Sequence, residues 1–147
     1  MSGSKHFPLF IDRAGRKAVI IGGGTVGLRR AEALVRFGAE VTVISPHLSK
    51  ELPGIRHIPR AYRPGDLAGA FLAAAATDDP AVNAAAGREA RQAGILFNRS
   101  DCRTECDFFF PALCEGGGLT AGVVGDGSDH HRTAAAAKRI REKLQSL

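Results

Sequence analysis

The stretch KAVIIGGGTVGLRRAEALVRFGAEVTVISP, residues 17–46, decides the fold. It begins with an apolar run at residues 18–21, which is typical of a strand buried on both faces of a parallel sheet. A helix is predicted at residues 26–37, where Gly38 ends it, and a second strand is predicted at residues 41–44. This order of strand, glycine turn, helix and strand predicts a βαβ unit.

The turn between the first strand and the helix contains a glycine pattern. Gly22, Gly24 and Gly27 fit G-x-G-x-x-G. In such a loop the first glycine permits a tight turn, the second lets a pyrophosphate approach the backbone, and the third allows close packing of helix and strand. Free N–H groups at the helix start favour the negative charge of phosphates. Because the pattern lies inside a βαβ unit of about 30 residues, it predicts a dinucleotide-binding loop rather than a purely structural turn.

The residue after the second strand bears on which dinucleotide is bound. An acidic residue at this position commonly holds the ribose 2′-hydroxyl of NAD. This chain instead has Ser45, followed by Pro46 and His47. No carboxylate therefore selects NAD over NADP, and nearby arginines could accept a 2′-phosphate. We expect NAD as the cofactor, with NADP left open.

The rest of the chain continues the alternation of strands and helices. Further elements are predicted in the order strand 55–58, strand 71–76, helix 81–93 and strand 95–97. Thr77 or Asp79 would cap the helix, with Pro80 at its first position. An apolar segment at residues 7–11 is expected to pack beside the first strand, and residues 46–53 to form a loop or a short helix. The predicted fold class is α/β, a Rossmann-like, doubly wound and mostly parallel sheet with a short C-terminal strand–helix extension.

The predicted domain organisation has two parts. Residues 1–112 would form the NAD-binding domain, and residues 113–147 a C-terminal extension that serves dimerisation or substrate binding. The extension contains a predicted strand at 119–124 and a final helix. An apolar stripe runs along that helix through Ala136, Ile140, Leu144 and Leu147. Such a stripe needs a partner surface, either the body of the domain or a second subunit.

The composition limits the classes of protein to which the chain can belong. With 44% hydrophobic and 24% charged residues the chain is typical of a globular protein, and residues 1–6 lack the apolar segment of a secretory signal. Cys102, Cys106 and Cys114 are an odd number of cysteines, so we expect reduced thiols in a cytoplasmic protein without a membrane partner. Their spacing is not that of a structural zinc site, and no resident metal is expected. A transient iron or cobalt site is left open.

The positive charge is unevenly distributed. The formal net charge is +5, and residues 132–147 contain five basic residues and one acidic residue. A basic helix of this kind is typical of proteins that bind nucleic acid, an anionic surface or a polyanionic small substrate, but it can also be a solvated face. Nucleic acid is disfavoured, because no nucleic-acid motif is present and Tyr62 is the one tyrosine.

Asp101 follows the last predicted strand of the parallel sheet, at residues 95–97. In an open parallel sheet, ligands bind beyond the carboxyl ends of the strands, and the segments predicted there are residues 22–27, 45–47, 77–79 and 98–101. A carboxylate at that edge could accept a proton while a hydride leaves to a nicotinamide. The alternative is that Asp101 only caps a turn.

Several spaced motifs together resemble the N-terminal domain of siroheme synthases. They are FPLF at 7–10, GGGTVG at 22–27 with RR at 29–30, AATDD at 75–79 with VN at 82–83, Asn98 with Asp101, and CDFFFP at 106–111. The match covers residues 7–120 in order. The resemblance implies an NAD-dependent precorrin-2 dehydrogenase, which oxidises precorrin-2 to sirohydrochlorin. Some members of the family also insert iron or cobalt.

The resemblance also implies roles for single residues. Thr25, Val26, Pro46 and His47 would contact NAD, with Thr77 and Asp78 beside it. Asp101 would be the general base for dehydrogenation. The implied substrate is a tetrapyrrole with multiple carboxylates, for which the candidate partners are Arg99, Arg103 and the final helix.

Two features depart from the family pattern. Residues 125–131, GDGSDHH, replace a Ser/Gly-rich segment containing Ser-Pro that adjoins the active site and the dimer in relatives. Relatives also continue beyond the position of Leu147 into a helical region that helps to dimerise and to bind tetrapyrrole. We expect a homodimeric dehydrogenase. The alternatives are a non-catalytic module that binds a dinucleotide or tetrapyrrole, and a ferro- or cobaltochelatase without redox activity.

Overall fold

The computed structural model describes residues 6–12 and 15–147 of the chain. Its helices and strands, in order, are β1 (Lys17–Ile21), α1 (Thr25–Arg36), β2 (Glu40–Ile44), β3 (Ile55–Ile58), β4 (Leu72–Ala75), α2 (Pro80–Ala93), β5 (Leu96–Arg99), β6 (Ala112–Gly116), β7 (Leu119–Val123) and α3 (His130–Gln145). A short 3₁₀ turn, Arg103–Glu105, follows β5. The chain divides into two compact units: residues 11–108, and residues 109–147 with the described residues up to Phe10.

The first unit contains a five-stranded sheet in the order β3-β2-β1-β4-β5, in which every pairing is parallel. Ile21 at the end of β1 pairs with Ile44 on one side and Ala75 on the other, and Ala75 pairs with Arg99. The strands therefore end together at one edge. The predicted Rossmann-like sheet is confirmed.

Helices α1 and α2 cover opposite faces of this sheet. A Cβ added to Gly27 of α1 would lie 3.5 Å from Ile20 Cγ2, whereas Ala86 and Ala90 of α2 share a buried cluster with Val19. Because successive residues of a strand point to opposite faces, Val19 and Ile20 mark the two faces of β1. The doubly wound arrangement is confirmed.

Strand β4, which lies between β1 and β5, is built almost entirely of alanine. Ala73, Ala74 and Ala75 are each 0% exposed. Alanine favours helices in isolation, but here strands pair on both sides of β4 and Ala86 and Ala90 pack against it. The small side chains let α2 approach the sheet closely, so tertiary packing overrides local preference. The strand predicted at residues 71–76 is confirmed.

Helix α2 has the predicted signals at both ends. Asp79 is its N-cap, and the carboxylate Oδ1 accepts a hydrogen bond from Ala81 N at 2.9 Å. Pro80 occupies the first helical position, where its missing N–H costs no hydrogen bond. Gly94 ends the helix at φ +70°, a left-handed conformation that favours glycine.

The second unit consists of an antiparallel hairpin, β6 and β7, and the helix α3. Cys114 of β6 and Ala137 of α3 are both 0% exposed, and Cys114 Sγ donates to Ala137 O at 3.4 Å. The predicted strand at 119–124 and the final helix are confirmed, whereas β6 was not predicted. The proposed stripe is corrected in part, because Ala137 rather than Ala136 is the fully buried position, and Leu147 lies beyond the helix and is 71% exposed.

One local expectation is wrong. Residues 7–11 form no strand, Phe7 is 86% exposed, and the segment up to Phe10 belongs with residues 109–147 rather than with β1. Residues 46–53, all of which are described, form a loop without a helix, which is the first of the two forms expected for them. The division into domains at residues 112 and 113 stays a prediction. No helix in the described part of the chain has the length and apolar character to cross a membrane.

Candidate functional site

A cleft of about 580 Å³ opens at the carboxyl edge of the sheet, where β1, β2 and β4 end. Of the predicted cofactor residues, those that line it are Gly22, Gly24, Ser45, Pro46, His47, Thr77 and Asp78. Thr25 lines an adjoining pocket of about 350 Å³, together with Arg29 and Lys50. Val26 and Gly27 line neither. The fold thus brings three separate segments to one cleft, and their contact with a cofactor stays a prediction.

Two glycines of the loop are required by close backbone contacts. Gly22 has φ +118°, and a Cβ there would lie 2.6 Å from Ala76 O. A Cβ on Gly27 would lie 2.3 Å from Gly22 O. Neither position can accept a side chain without moving the backbone. The tight turn and the close packing of α1 on the loop therefore have the structural basis that the pattern predicts.

Gly24 has a different environment from these two glycines. A Cβ added there would meet no atom of the described residues within 4 Å. Gly24 is also the N-cap of α1, and no side chain caps the first turn of that helix. Open space next to uncapped N–H groups at a helix N-terminus fits a phosphate group of a dinucleotide.

Gly23 was missed as a functional position. A Cβ there would lie 2.1 Å from His47 O and 2.8 Å from Ser45 Oγ. Ser49 N also donates to Gly23 O at 2.8 Å. The loops after β1 and β2 therefore meet backbone to backbone at this residue. The signal in the sequence is the middle glycine of the run at 22–24, which the G-x-G-x-x-G pattern leaves unassigned.

Ser45 holds the loop after β2 in shape. It is 8% exposed, and its Oγ donates to His47 O at 2.7 Å. Its carbonyl accepts from His57 Nε2 at 2.8 Å, and its N–H donates to Ile58 O at 3.2 Å. The Ser45 hydroxyl is thus directed to the backbone, and exposed His47 supplies the polar side chain of this segment at the cleft.

Thr77 is fixed from behind by a buried amide. Asn83 of α2 is 0% exposed, and its Oδ1 accepts from Thr77 N at 3.2 Å and from Thr77 Oγ1 at 2.7 Å. Asn83 Nδ2 donates to Thr77 O at 3.1 Å. These bonds satisfy a buried polar side chain and fix the backbone where β4 leaves the sheet. Asn83 matches a family motif, but no role was predicted for it.

Asp101, the predicted base, is paired with an arginine. Arg99 Nε lies 2.9 Å from Asp101 Oδ1, and Arg99 Nη2 lies 2.9 Å from Oδ2. The hydrogen bond from Arg99 lowers the pKa of Asp101 despite an opposing effect of burial, and the Asn83 side chain lowers it further. The carboxylate is therefore ionised at neutral pH. Asp101 is not among the residues that line the cleft, but Asn83 connects it to Thr77.

Arg99 was also a candidate partner for substrate carboxylates, and its surroundings argue against that role. Its side chain is only 9% exposed. Besides Asp101 it contacts Glu105, with Nη1 2.7 Å from Glu105 Oε2. Its guanidinium is therefore engaged by carboxylates of this chain. The basic residues of α3, in contrast, are exposed: Arg132, Lys138, Arg139, Arg141 and Lys143.

The motif residues around Cys106 have structural contacts. Asn98 Oδ1 accepts from Arg30 Nη1 at 2.5 Å, and Asn98 Nδ2 donates to Phe108 O at 2.9 Å. Cys106 Sγ lies 3.2 Å from both the N and the O of Arg99. Burial raises the pKa of the Cys106 thiol, so this sulfur is a neutral hydrogen-bonding group. Among the described residues, no three His, Cys, Asp or Glu side chains are grouped to hold a metal ion.

Comparison with known families now identifies the chain. Residues 9–112 match the family described as "Putative NAD(P)-binding". The chain belongs to this family. The predicted dinucleotide cofactor is thereby confirmed as NAD(P).

Relatives along the whole chain come from siroheme biosynthesis. The chain is 38% identical to "Probable multifunctional siroheme biosynthesis protein HemA" of Ruminiclostridium josui, over 97% of this chain and 28% of that protein. It is 37% identical to the siroheme synthase of Azotobacter vinelandii, over 97% of this chain and 36% of that protein. The chain therefore spans only about a third of these curated relatives. The resemblance predicted from the motifs is confirmed.

A solved structure is similar over nearly the same length. "SirC, precorrin-2 dehydrogenase" superposes with a TM-score of 0.71 at 27% identity, over 96% of this chain and 70% of that chain. The likeness thus includes the strand–helix extension as well as the sheet. It supports the Rossmann-like assignment independently of the glycine motif.

Proposed function

We propose that this protein is an NAD-dependent precorrin-2 dehydrogenase that oxidises precorrin-2 to sirohydrochlorin, and that it works as a homodimer in the cytoplasm. One observation carries the proposal. The open space at Gly24, beside the uncapped start of α1, lies in a chain that is similar to a precorrin-2 dehydrogenase over 96% of its length.

The residues of the cleft bind and orient the dinucleotide. Gly22, Gly24 and the first turn of α1 hold its phosphates, because N–H groups and the helix dipole favour negative charge there. His47 lies on one wall and Thr77, fixed by Asn83, on the other. NAD, when bound, supplies the acceptor for the hydride that leaves the substrate.

Asp101 takes the proton that the substrate loses in the same oxidation. Its ionised state, maintained by the Arg99 ion pair, leaves both oxygens without a proton. General base catalysis by a positioned side chain contributes about 10²–10⁴-fold to a rate. The exposed basic residues of α3 attract a tetrapyrrole with multiple carboxylates.

One alternative has an observation in its favour. A carboxylate that is doubly hydrogen-bonded to an arginine is a weak base, and residues 125–131 differ from the family pattern. Both features fit a module that binds a dinucleotide or tetrapyrrole without oxidising it.

Turnover by the purified protein separates these functions. We expect NADH to form when NAD and precorrin-2 are supplied together, with slower reduction of NADP. Asp101→Asn should lower kcat by about 10²-fold or more while the Kd for NAD stays unchanged. NAD binding without any NADH formation would support the module instead, and unchanged turnover in Asp101→Asn would remove Asp101 from the mechanism.

A further inference from the structure

Asp101 lies at the end of a series of charged side chains from three elements. Arg99, the last residue of β5, contacts both oxygens of Asp101 at 2.9 Å. Its remaining terminal nitrogen, Nη1, lies 2.7 Å from Oε2 of Glu105 in the 3₁₀ turn. Arg91 of α2 lies 3.8 Å from Oε1 of the same glutamate. Carboxylates thus hold the Arg99 fork on two sides.

Arg99 is the most buried member of this series. Its side chain is 9% exposed, against 30% for Asp101 and 43% for Glu105. Its backbone is also fixed, because both its N and its O lie 3.2 Å from Cys106 Sγ. A planar guanidinium held in this way leaves the paired carboxylate little freedom to rotate.

We propose that Arg99 is the positioning residue of Asp101: its bidentate contact fixes the direction of the carboxylate and balances its negative charge. The proposal rests on the proposed function for the role of Asp101 as base. It also explains why Arg99 is unavailable to substrate carboxylates.

Groups from every neighbouring element act on the charge of Asp101. On β5, Arg99 stabilises the carboxylate and lowers its pKa, which is the largest effect. Burial opposes it, and the Asn83 side chain of α2 adds to it. The charges of Glu105 and Cys102 act on Arg99. Arg91 of α2 acts on Glu105, from which it lies 3.8 Å. A neutral residue in place of Arg99 removes the largest effect that lowers the pKa of Asp101, so this pKa should rise.

The decisive measurement is a carboxyl titration of the cofactor-free full chain by NMR, with Asp101 assigned through Asp101→Asn. We expect the pKa of Asp101 to rise in Arg99→Met and in Arg99→Gln. Glutamine is similar in length to methionine but polar, so Arg99→Gln serves as the second variant if Arg99→Met does not fold. Arg99→Lys is the matched control. It keeps the charge without the planar fork, so the pKa should rise less. An unchanged pKa in a folded neutral variant would overturn the proposal.

The pH dependence of turnover provides the second readout. Because the base must be ionised, the acid limb of kcat/KM should move to higher pH in Arg99→Gln, with Arg99→Lys between the variant and the parent protein. If the acid limb of kcat/KM does not move although the pKa of Asp101 does, Arg99 does not control the group that acts as base in turnover. If neither the parent protein nor any variant forms NADH, the proposed function fails. The titration of Asp101 then still decides whether Arg99 controls its pKa.

Discussion

Gly22, Gly23 and Gly24 are identical in chemistry and differ in what surrounds them. The first two are enclosed by the backbone of the loops after β4 and β2, whereas the third faces open space. A glycine run can therefore contain both residues that the fold requires and a residue that a ligand requires. The distinction is a property of the tertiary structure, so it could not be made from the G-x-G-x-x-G pattern.

A pair of substitutions tests this distinction. Gly24→Ser should leave the melting temperature unchanged or raise it, because serine is a favourable N-cap and its Cβ would lie more than 4 Å from the other described residues. It should weaken NAD binding by about tenfold or more, equivalent to at least about 1.4 kcal/mol, since the side chain occupies the space assigned to a phosphate. Gly23→Ala should instead lower stability by about 1–3 kcal/mol through overpacking.

Calorimetric titration with NAD and thermal unfolding of both variants give the answer. Full affinity in a folded Gly24→Ser protein would contradict the placement of the phosphates at this loop. Equal melting temperatures for Gly23→Ala and the parent protein would contradict the close contact of the two loops.

At the scale of elements, side chains of α2 fix two of the segments that line the cleft. Besides Asn83 it carries Glu89, which accepts hydrogen bonds from the Tyr62 hydroxyl and, at 3.0 Å each, from the N–H groups of Gly65 and Leu67. One glutamate thus fastens the connection between β3 and β4 to the helix. Tyr62 is itself part of the cleft lining.

The ionisation of Tyr62 reports on this contact. Burial first, and then the hydrogen bond to Glu89, raises the pKa of Tyr62 above its ordinary value. Because folding favours the neutral, protonated form, this stabilisation is present below the ordinary tyrosine pKa of about 10 and is lost as the pH rises above it. Tyr62 is the sole tyrosine of the chain, so phenolate absorbance measures it alone.

We expect the folded protein to form phenolate at higher pH than the urea-unfolded chain. Glu89→Gln should bring the midpoint of the folded protein back toward that of the unfolded chain. Glu105→Gln, which removes a carboxylate that does not bond to Tyr62, is the matched control and should leave the midpoint in place. Coincident folded and unfolded titrations would rule out the buried contact.

At the scale of the whole molecule, the exposed basic residues of α3 and the binding cleft are found in different compact units. The cleft is lined only by residues of the unit at 11–108, while the exposed basic residues of α3 belong to the other unit. The net charge of +5 favours encounter with a polyanionic substrate. Dinucleotide binding and substrate attraction should therefore respond differently to salt.

Ionic strength and charge removal test this separation. Between low salt and 0.15 M, where the screening length falls to about 8 Å, the KM for precorrin-2 should rise more than the Kd for NAD. Arg139→Gln and Lys143→Gln should raise KM by about two- to fivefold each, equivalent to roughly 0.4–1 kcal/mol. Arg56→Gln removes the same charge from an exposed position of β3 and should leave KM unchanged. A KM that is independent of salt would exclude this role of α3.

Most of the sheet could be predicted because its signals are local. The apolar run of β1, the caps of α2 at Asp79 and Gly94, and the turn after β1 each lie within a few residues. Strand β6, ALCEG, was missed because it has no β-branched or aromatic residue and forms only by pairing with β7. The ion pair of Asp101 was missed for a related reason: a spacing of two residues does not reveal that a guanidinium and a carboxylate fold toward one another.

The alanines of β4 limit how this protein can evolve. Ala73, Ala74 and Ala75 have no exposed surface, and the fully buried apolar side chains of α2 are those of Ala86 and Ala90. Valine or isoleucine would suit a strand better, yet any added methyl group would force the layers apart. Lineages of this chain are therefore expected to vary at their surfaces while the interior keeps its small side chains. A saturation library should tolerate glycine or serine in β4 more often than any larger apolar residue.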